Sequence, residues 1–210
     1  MTDVLAFLAA TGVVPVVVID DPSKSEALAQ ALIEGRLPTA EITLRTPAAL
    51  ETIRALAAVP GFAVGAGTVV DPSQVTKALE AGATYLVSPG FSPAVSRECA
   101  TLGVPLIPGV ATATEFMAAL DAGHQMVKFF PAGAAGGVPM LKALAAPFPS
   151  ARFMPTGGIS LATLADYLAV PAVAAVGGTW IASRNAIAAS DFATVKANAM
   201  AARAVVEEQR

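Results

Sequence analysis

The 210-residue chain is poor in several things that carry protein chemistry: one cysteine, one histidine, 6% aromatics and 14% charged residues. A lone Cys99 excludes a disulfide-stapled scaffold and fits a reducing compartment. With His124 as its single possible companion, no Cys/His zinc constellation can be assembled, and no paired-Asp pattern stands out. Lys and Arg number 13 against 16 Asp and Glu, and no basic cluster is present to neutralise a phosphate backbone, so nucleic acid is not an expected partner. The longest uncharged stretch, 167–183, is 17 residues and carries Pro171, Gly177 and Gly178, which argues against a membrane span. No basic region precedes the apolar Val4–Ala10, so the start does not read as a secretory leader. Hydrophobic residues make up 55%, far too many for a disordered chain. The expectation is one compact cytoplasmic domain over residues 1–210, with some outer surface buried in an oligomer.

What is abundant is alternation. Short β-branched runs are read at Val13–Ile19, Ala40–Leu44, Phe62–Ala66, Tyr85–Val87, Pro105–Ile107, Met126–Phe129, Arg152–Met154 and Val173–Val176. Alanine-rich helical runs follow each, and one more, Asp3–Ala10, precedes the first. Helix starts are signalled by Asp20-Asp21-Pro22-Ser23, Thr46-Pro47, Asp71-Pro72 and Ser92-Pro93, because proline at the first helical position lacks an N–H that would be unpaired there anyway. Gly35, Gly82, Gly103 and Gly123 mark helix ends, where left-handed geometry suits glycine. Strands apolar on both sides suit a parallel sheet covered on both faces. Eight such units predict an α/β fold of the (β/α)₈ TIM-barrel type, with the additional N-terminal helix plugging its bottom. A doubly wound open sheet is the alternative. The last helix, about 191–209, packs through Phe192, Val195, Ala199 and Val206.

Four polar features break this apolar pattern. Of five lysines, only Lys128 interrupts a strand, Met126-Val127-Lys128-Phe129. Burying an ammonium is costly, and the free amine is the form that attacks a carbonyl; the competing reading is an edge strand with a snorkelling stem. In Glu41-Ile42-Thr43-Leu44-Arg45, period two puts Glu41, Thr43 and Arg45 on one face. Glu41 is a candidate proton shuttle and Arg45 a candidate carboxylate clamp, or the two form an internal ion pair. Gly65-Ala66-Gly67-Thr68 offers either close backbone approach to a ligand with a hydroxyl beside it, or a plain tight turn. Thr156-Gly157-Gly158 and Gly177-Gly178-Thr179-Trp180, after the seventh and eighth strands, match the place where barrels often cup a phosphate on backbone N–H groups. His124 reads as a helix-end residue and Cys99 as a small core residue. Pro-Gly turns at 89–90 and 108–109 stiffen the loops, with Pro89 and Phe91 on one wall.

Taken together and in order, these stretches resemble the 2-keto-3-deoxy-6-phosphogluconate (KDPG) and 4-hydroxy-2-oxoglutarate (KHG) aldolases over nearly the whole chain. The carrying motifs are Glu41-Ile42-Thr43-Leu44-Arg45-Thr46, Gly65-Ala66-Gly67-Thr68-Val69, Ser88-Pro89-Gly90, Pro108-Gly109-Val110, Val127-Lys128-Phe129-Phe130-Pro131-Ala132, Pro155-Thr156-Gly157-Gly158-Ile159 and Val176-Gly177-Gly178-Thr179-Trp180. The resemblance implies a class I aldolase without metal or cofactor, typically a homotrimer, acting on a phosphorylated keto acid. It implies a Schiff base on Lys128, acid/base work by Glu41, and carboxylate binding by Arg45 and Thr68. It further implies phosphate binding by Gly157, Gly158, Gly178 and Thr179, with Pro89, Phe130 and Thr156 lining the pocket. Two departures from the pattern are Thr179, where serine is common, and Gly133–Gly137, which lacks an acidic residue often found there. Arg45 favours the gluconate over the galactonate epimer. A phosphosugar epimerase or isomerase, or a non-catalytic barrel, are the competing functions; both leave Lys128 without a covalent role.

Overall fold

The computed structural model describes residues 3–210; Met1 and Thr2, part of the start read for a leader, lie outside them. The elements run α1 Val4–Thr11, β1 Val13–Val17, a 3₁₀ turn Pro22–Lys24, α2 Ser25–Glu34, β2 Thr39–Thr43, α3 Ala49–Ala57, β3 Ala63–Gly67, α4 Pro72–Glu80, β4 Tyr85–Val87 and α5 Pro93–Thr101. They continue with β5 Leu106–Ile107, β6 Gly109–Val110, α6 Ala113–Asp121, β7 Lys128–Phe129, α7 Gly137–Ala145, α8 Leu161–Leu168, β8 Val176–Gly178, α9 Arg184–Ala188 and α10 Phe192–Gln209. Six strands form one sheet in the order β5-β4-β3-β2-β1-β8, and β6 pairs with β7 in a second. Every pairing is parallel. Single parallel bridges tie Val127 to Phe153, Phe153 to Val173, and Thr156 to Gly177.

The strands alternate between two apolar environments, as period two requires. Val13, Val17, Ile42, Val64 and Leu86 face outward onto the helices, meeting Leu28, Leu32, Ile53, Val75 and Val195. Val14, Tyr85, Val87, Ile107, Met154 and Ala175 face inward and form a separate inner cluster with Val4 and Leu8 of α1. The N-terminal helix therefore closes the N-terminal end of the strands. Its first turn is capped by the Asp3 carboxylate, which accepts from the Ala6 N–H at 3.0 Å. Among the described residues, no helix is long and apolar enough to cross a membrane.

Several local expectations need correction. Asp71 and Ser92 do cap α4 and α5, and Asp71 builds a full capping box with Gln74. Thr46 caps nothing: its hydroxyl donates to the Ile19 carbonyl at 2.6 Å, and α3 begins three residues later behind Ala48. Gly35 is not left-handed; Arg36 takes that conformation at φ 63. Gly35 is required for another reason, since a Cβ there would stand 2.4 Å from the Ala199 Cβ of α10. The expected fifth strand is followed by β6, with Pro108 between the two short strands because proline cannot continue the ladder. The expected seventh strand, Arg152–Met154, shrinks to the bridges at Phe153. Strand eight forms at Val176–Gly178, later than the Val173–Val176 expected.

Candidate active site

Lys128 and Glu41 stand on strands that are not neighbours, 87 residues apart in sequence, yet the Lys128 Nζ donates to Glu41 Oε1 at 3.1 Å. The lysine side chain is 7% exposed and the glutamate side chain 0%. Glu41 pairs with this lysine and not with Arg45, so the internal Glu41–Arg45 bridge is excluded. The second carboxylate oxygen, Oε2, is buried with no hydrogen-bond partner. A buried carboxylate oxygen without a partner is costly and points to a group that arrives from outside the chain. The Lys128 Nζ also lies 5.2 Å from the centre of the Phe130 ring, within cation–π range.

What holds Glu41 in place is largely a missing methyl group. A Cβ on Gly67 would stand 2.2 Å from Glu41 Oε1, so the carboxylate rests on bare backbone of the adjacent strand. Two residues earlier on β3, a Cβ on Gly65 would stand 2.2 Å from the Tyr85 ring. The glycines read as ligand-approach positions thus make room for the protein's own side chains. Tyr85 is fully buried, and its hydroxyl lies 3.1 Å from Thr39 Oγ1. Thr39 spends its own proton on the Ala63 carbonyl at 2.7 Å, so Tyr85 is the donor to Thr39. Burial holds the Tyr85 phenol well above its ordinary range, and the nearby Glu41 charge adds to it. Neither Tyr85 nor Thr39 was singled out by the sequence pattern; a phenol in a short apolar strand was the available signal.

The remaining expected residues fall into two groups. Thr156 is buried, and its hydroxyl fills the space a Gly177 Cβ would need, 2.2 Å away. Gly157 has φ 95 and lies against Phe130, where a Cβ would sit 3.2 Å from the ring. Gly158, at φ 74, is exposed, Gly178 is buried and Thr179 is exposed. Lys128, Phe130, Thr156, Gly157 and Gly177 therefore form one connected neighbourhood with Glu41. Arg45, Thr68 and Pro89 follow β2, β3 and β4 at the same C-terminal end of the sheet. Arg45 lies in the turn beyond β2 rather than within the strand, is exposed, and forms no ion pair among the described residues. Thr68 is left-handed at φ 61, an uncommon state for a β-branched residue. Burial lowers the pKa of His124, partly opposed by a bond to the Leu106 backbone; its Nε2 lies 2.8 Å from Ser96 Oγ. Burial pushes the Cys99 thiol up to about 11, as befits a core residue. Cavities misplace the site: one of about 400 Å³ is lined by Lys142, Phe148, Arg152 and Ala172, another of about 350 Å³ beside α1 by Asp3, Met126, Arg152 and Arg210, and neither is lined by Lys128 or Glu41. The chemistry of the Lys128–Glu41 pair is the better guide, because a buried ion pair with an unpaired oxygen has no packing rationale.

Parallel strands with polar groups gathered at their C-terminal ends define an α/β enzyme of the kind whose site is built from strand exits. The family of KDPG and KHG aldolases matches residues 4–198, and the chain belongs to it. It is 47% identical to the 2-dehydro-3-deoxy-phosphogluconate aldolase of Treponema pallidum (strain Nichols) over 186 residues, 88% of this chain and 89% of that protein. It is 44% identical to the KHG/KDPG aldolase of Escherichia coli (strain K12) over 181 residues, 86% and 85% of the two chains. The crystal structure of the Legionella pneumophila KDPG aldolase, with pyruvate captured at low pH as a covalent carbinolamine intermediate, superposes with a TM-score of 0.92 at 39% identity, covering 96% of this chain and 99% of that one.

Proposed function

We propose that this protein cleaves 2-keto-3-deoxy-6-phosphogluconate to pyruvate and glyceraldehyde 3-phosphate through a Schiff base on Lys128, and cleaves 4-hydroxy-2-oxoglutarate to pyruvate and glyoxylate at the same amine. The observation that carries the reading is the buried Lys128–Glu41 contact at 3.1 Å with Glu41 Oε2 unpaired. Glu41 takes the ammonium proton, and the free amine adds to the C2 ketone. The carbinolamine oxygen receives a proton from Glu41 and leaves as water, giving an iminium. Glu41, directly or through a water, then removes the C4 hydroxyl proton. The C3–C4 electron pair flows into the iminium, the aldehyde departs, and an enamine remains. Protonation at C3 and hydrolysis release pyruvate and restore the amine. Arg45 and Thr68 hold the carboxylate, and orientation of this kind supplies a large part of the rate. Gly157, Gly158, Gly178 and Thr179 hold the phosphate, while Pro89, Phe130 and Thr156 line the pocket. Arg45 favours the gluconate epimer.

In this reading the two sheets are one closed (β/α)₈ barrel over residues 1–210, with residues 153–156 as the seventh stave. The family resemblance supports a cytoplasmic homotrimer, and the exposed Val70, Met117 and Met200 are candidates for its contacts. Borohydride reduction in the presence of pyruvate tests the central step. The expected result is a single pyruvate-derived adduct, mapped by mass to Lys128. An adduct on another lysine, or none at saturating pyruvate, overturns the assignment.

A further inference from the structure

Asn198 lies inside α10, an alanine-rich helix where asparagine is a poor helix former, so it has to be explained by what it touches. Its Nδ2 donates to the carbonyls of Trp180 at 3.1 Å and Ile181 at 3.4 Å. Among the described residues these are the only side-chain hydrogen bonds to the backbone of 178–182, the segment leaving β8. A peptide unit is planar and trans, so a carbonyl turned toward α10 turns the next N–H the other way. Asn198 therefore fixes the N–H groups of Ile181 and Ala182 away from α10. The rest of the segment lacks a second polar anchor: the Trp180 indole N–H is buried without an acceptor, and its ring rests where a Gly178 Cβ would stand, 2.1 Å away.

We propose that Asn198 is a positioning residue for phosphate recognition: from the outer helix layer it orients the strand-eight loop whose N–H groups meet the substrate's phosphate. The inference rests on the assignment of Gly178 and Thr179 to phosphate binding and adds a residue that does not touch the substrate. Its signature is a split between substrates, because KHG carries no phosphate.

The test compares kcat and KM for KDPG and KHG in wild type, Asn198→Leu and Gly158→Ala. Loss of the two bonds in Asn198→Leu is expected to raise KM for KDPG by about tenfold, the scale of one or two net hydrogen bonds. KM for KHG and the rate of borohydride trapping with pyruvate stay near wild type. Asn198→Asp, which puts an oxygen opposite the two carbonyls, moves KDPG the same way, and Asn198→Gln restores part of the loss. The Asp and Gln variants carry the test if the leucine variant does not fold. If Gly158→Ala raises the KDPG-to-KHG ratio of KM values and the Asn198 variants leave it unchanged, the positioning role is wrong and the phosphate assignment stands. If no variant changes the ratio, the phosphate assignment fails and the inference falls with it. An equal rise for both substrates shows a merely structural role and overturns the proposal.

Discussion

The two ends of the strand assembly are built on opposite principles. At the N-terminal end, α1 presses Val4 and Leu8 into an apolar cluster with Val14, Ile107 and Met154. At the C-terminal end the inward positions are Glu41, Thr43, Lys128 and Thr156, all buried. The first end obeys ordinary core packing and owes its stability to area removed from water. The second carries a buried ion pair, which is weak evidence for stability because desolvation offsets much of the attraction. An arrangement that stabilises little, and leaves Glu41 Oε2 unpaired, is what the proposed Schiff-base chemistry would use. The lesson is that one inner face, continuous along the same strands, is divided into a packed apolar half and a buried polar half.

The sharpest way to break this comparison is Lys128→Arg. It keeps the charge but removes the attackable amine, so covalent trapping by borohydride and pyruvate should vanish while the fold survives. Trapping that persists would mean that a different lysine acts. Next in size is Glu41→Gln, which leaves the shape but removes the proton acceptor. Turnover is expected to fall by ~10²–10⁴, the usual span for general acid–base help, with a much smaller change in pyruvate affinity. Equal losses in both would contradict a proton-transfer role. At the other end, Leu8→Ala opens the fully buried plug. Denaturant unfolding should show a loss of about 2–5 kcal/mol, with the trapping rate at Lys128 little altered below the unfolding transition. A parallel collapse of trapping would show that the halves are coupled rather than separate.

The smallest effect concerns His124, which belongs to neither half. Its folded pKa lies below the ordinary 6.5 because burial disfavours the charged ring. The unfolded chain therefore binds its proton first on acidification. The stabilisation is present above about pH 6.5 and is lost as the pH falls toward the lowered value. Thermal unfolding between pH 7 and 5 should show a decline in Tm that His124→Gln flattens. An unchanged slope in the variant would assign that decline to other groups.

Much of this architecture is written locally. The β-branched runs and the caps at Asp71 and Ser92 state their own structure, because they depend on period two and on unpaired helix-end N–H groups. Lys128 was visible because a lysine in an apolar strand conflicts with its surroundings. Thr46 and Gly35 misled for the same reason in reverse: a hydroxyl and a glycine each have several uses, and distant partners, Ile19 and Ala199, chose between them. Strand ends drifted because pairing depends on both chains: Phe153 keeps single bridges to Val127 and Val173, and Pro108 has no N–H to give to a ladder. Asn198 and the Thr39–Tyr85 pair were silent in the sequence, since a hydrogen bond across layers leaves no spacing to read.

By itself the sequence determined which residue types lie inward and outward, and that one amine and one carboxylate sit among them. Only the tertiary structure decided that Glu41 meets Lys128 rather than Arg45. The fold brings side chains from two non-adjacent strands within 3.1 Å of each other, and the absent side chain of Gly67 leaves the carboxylate a place to lie.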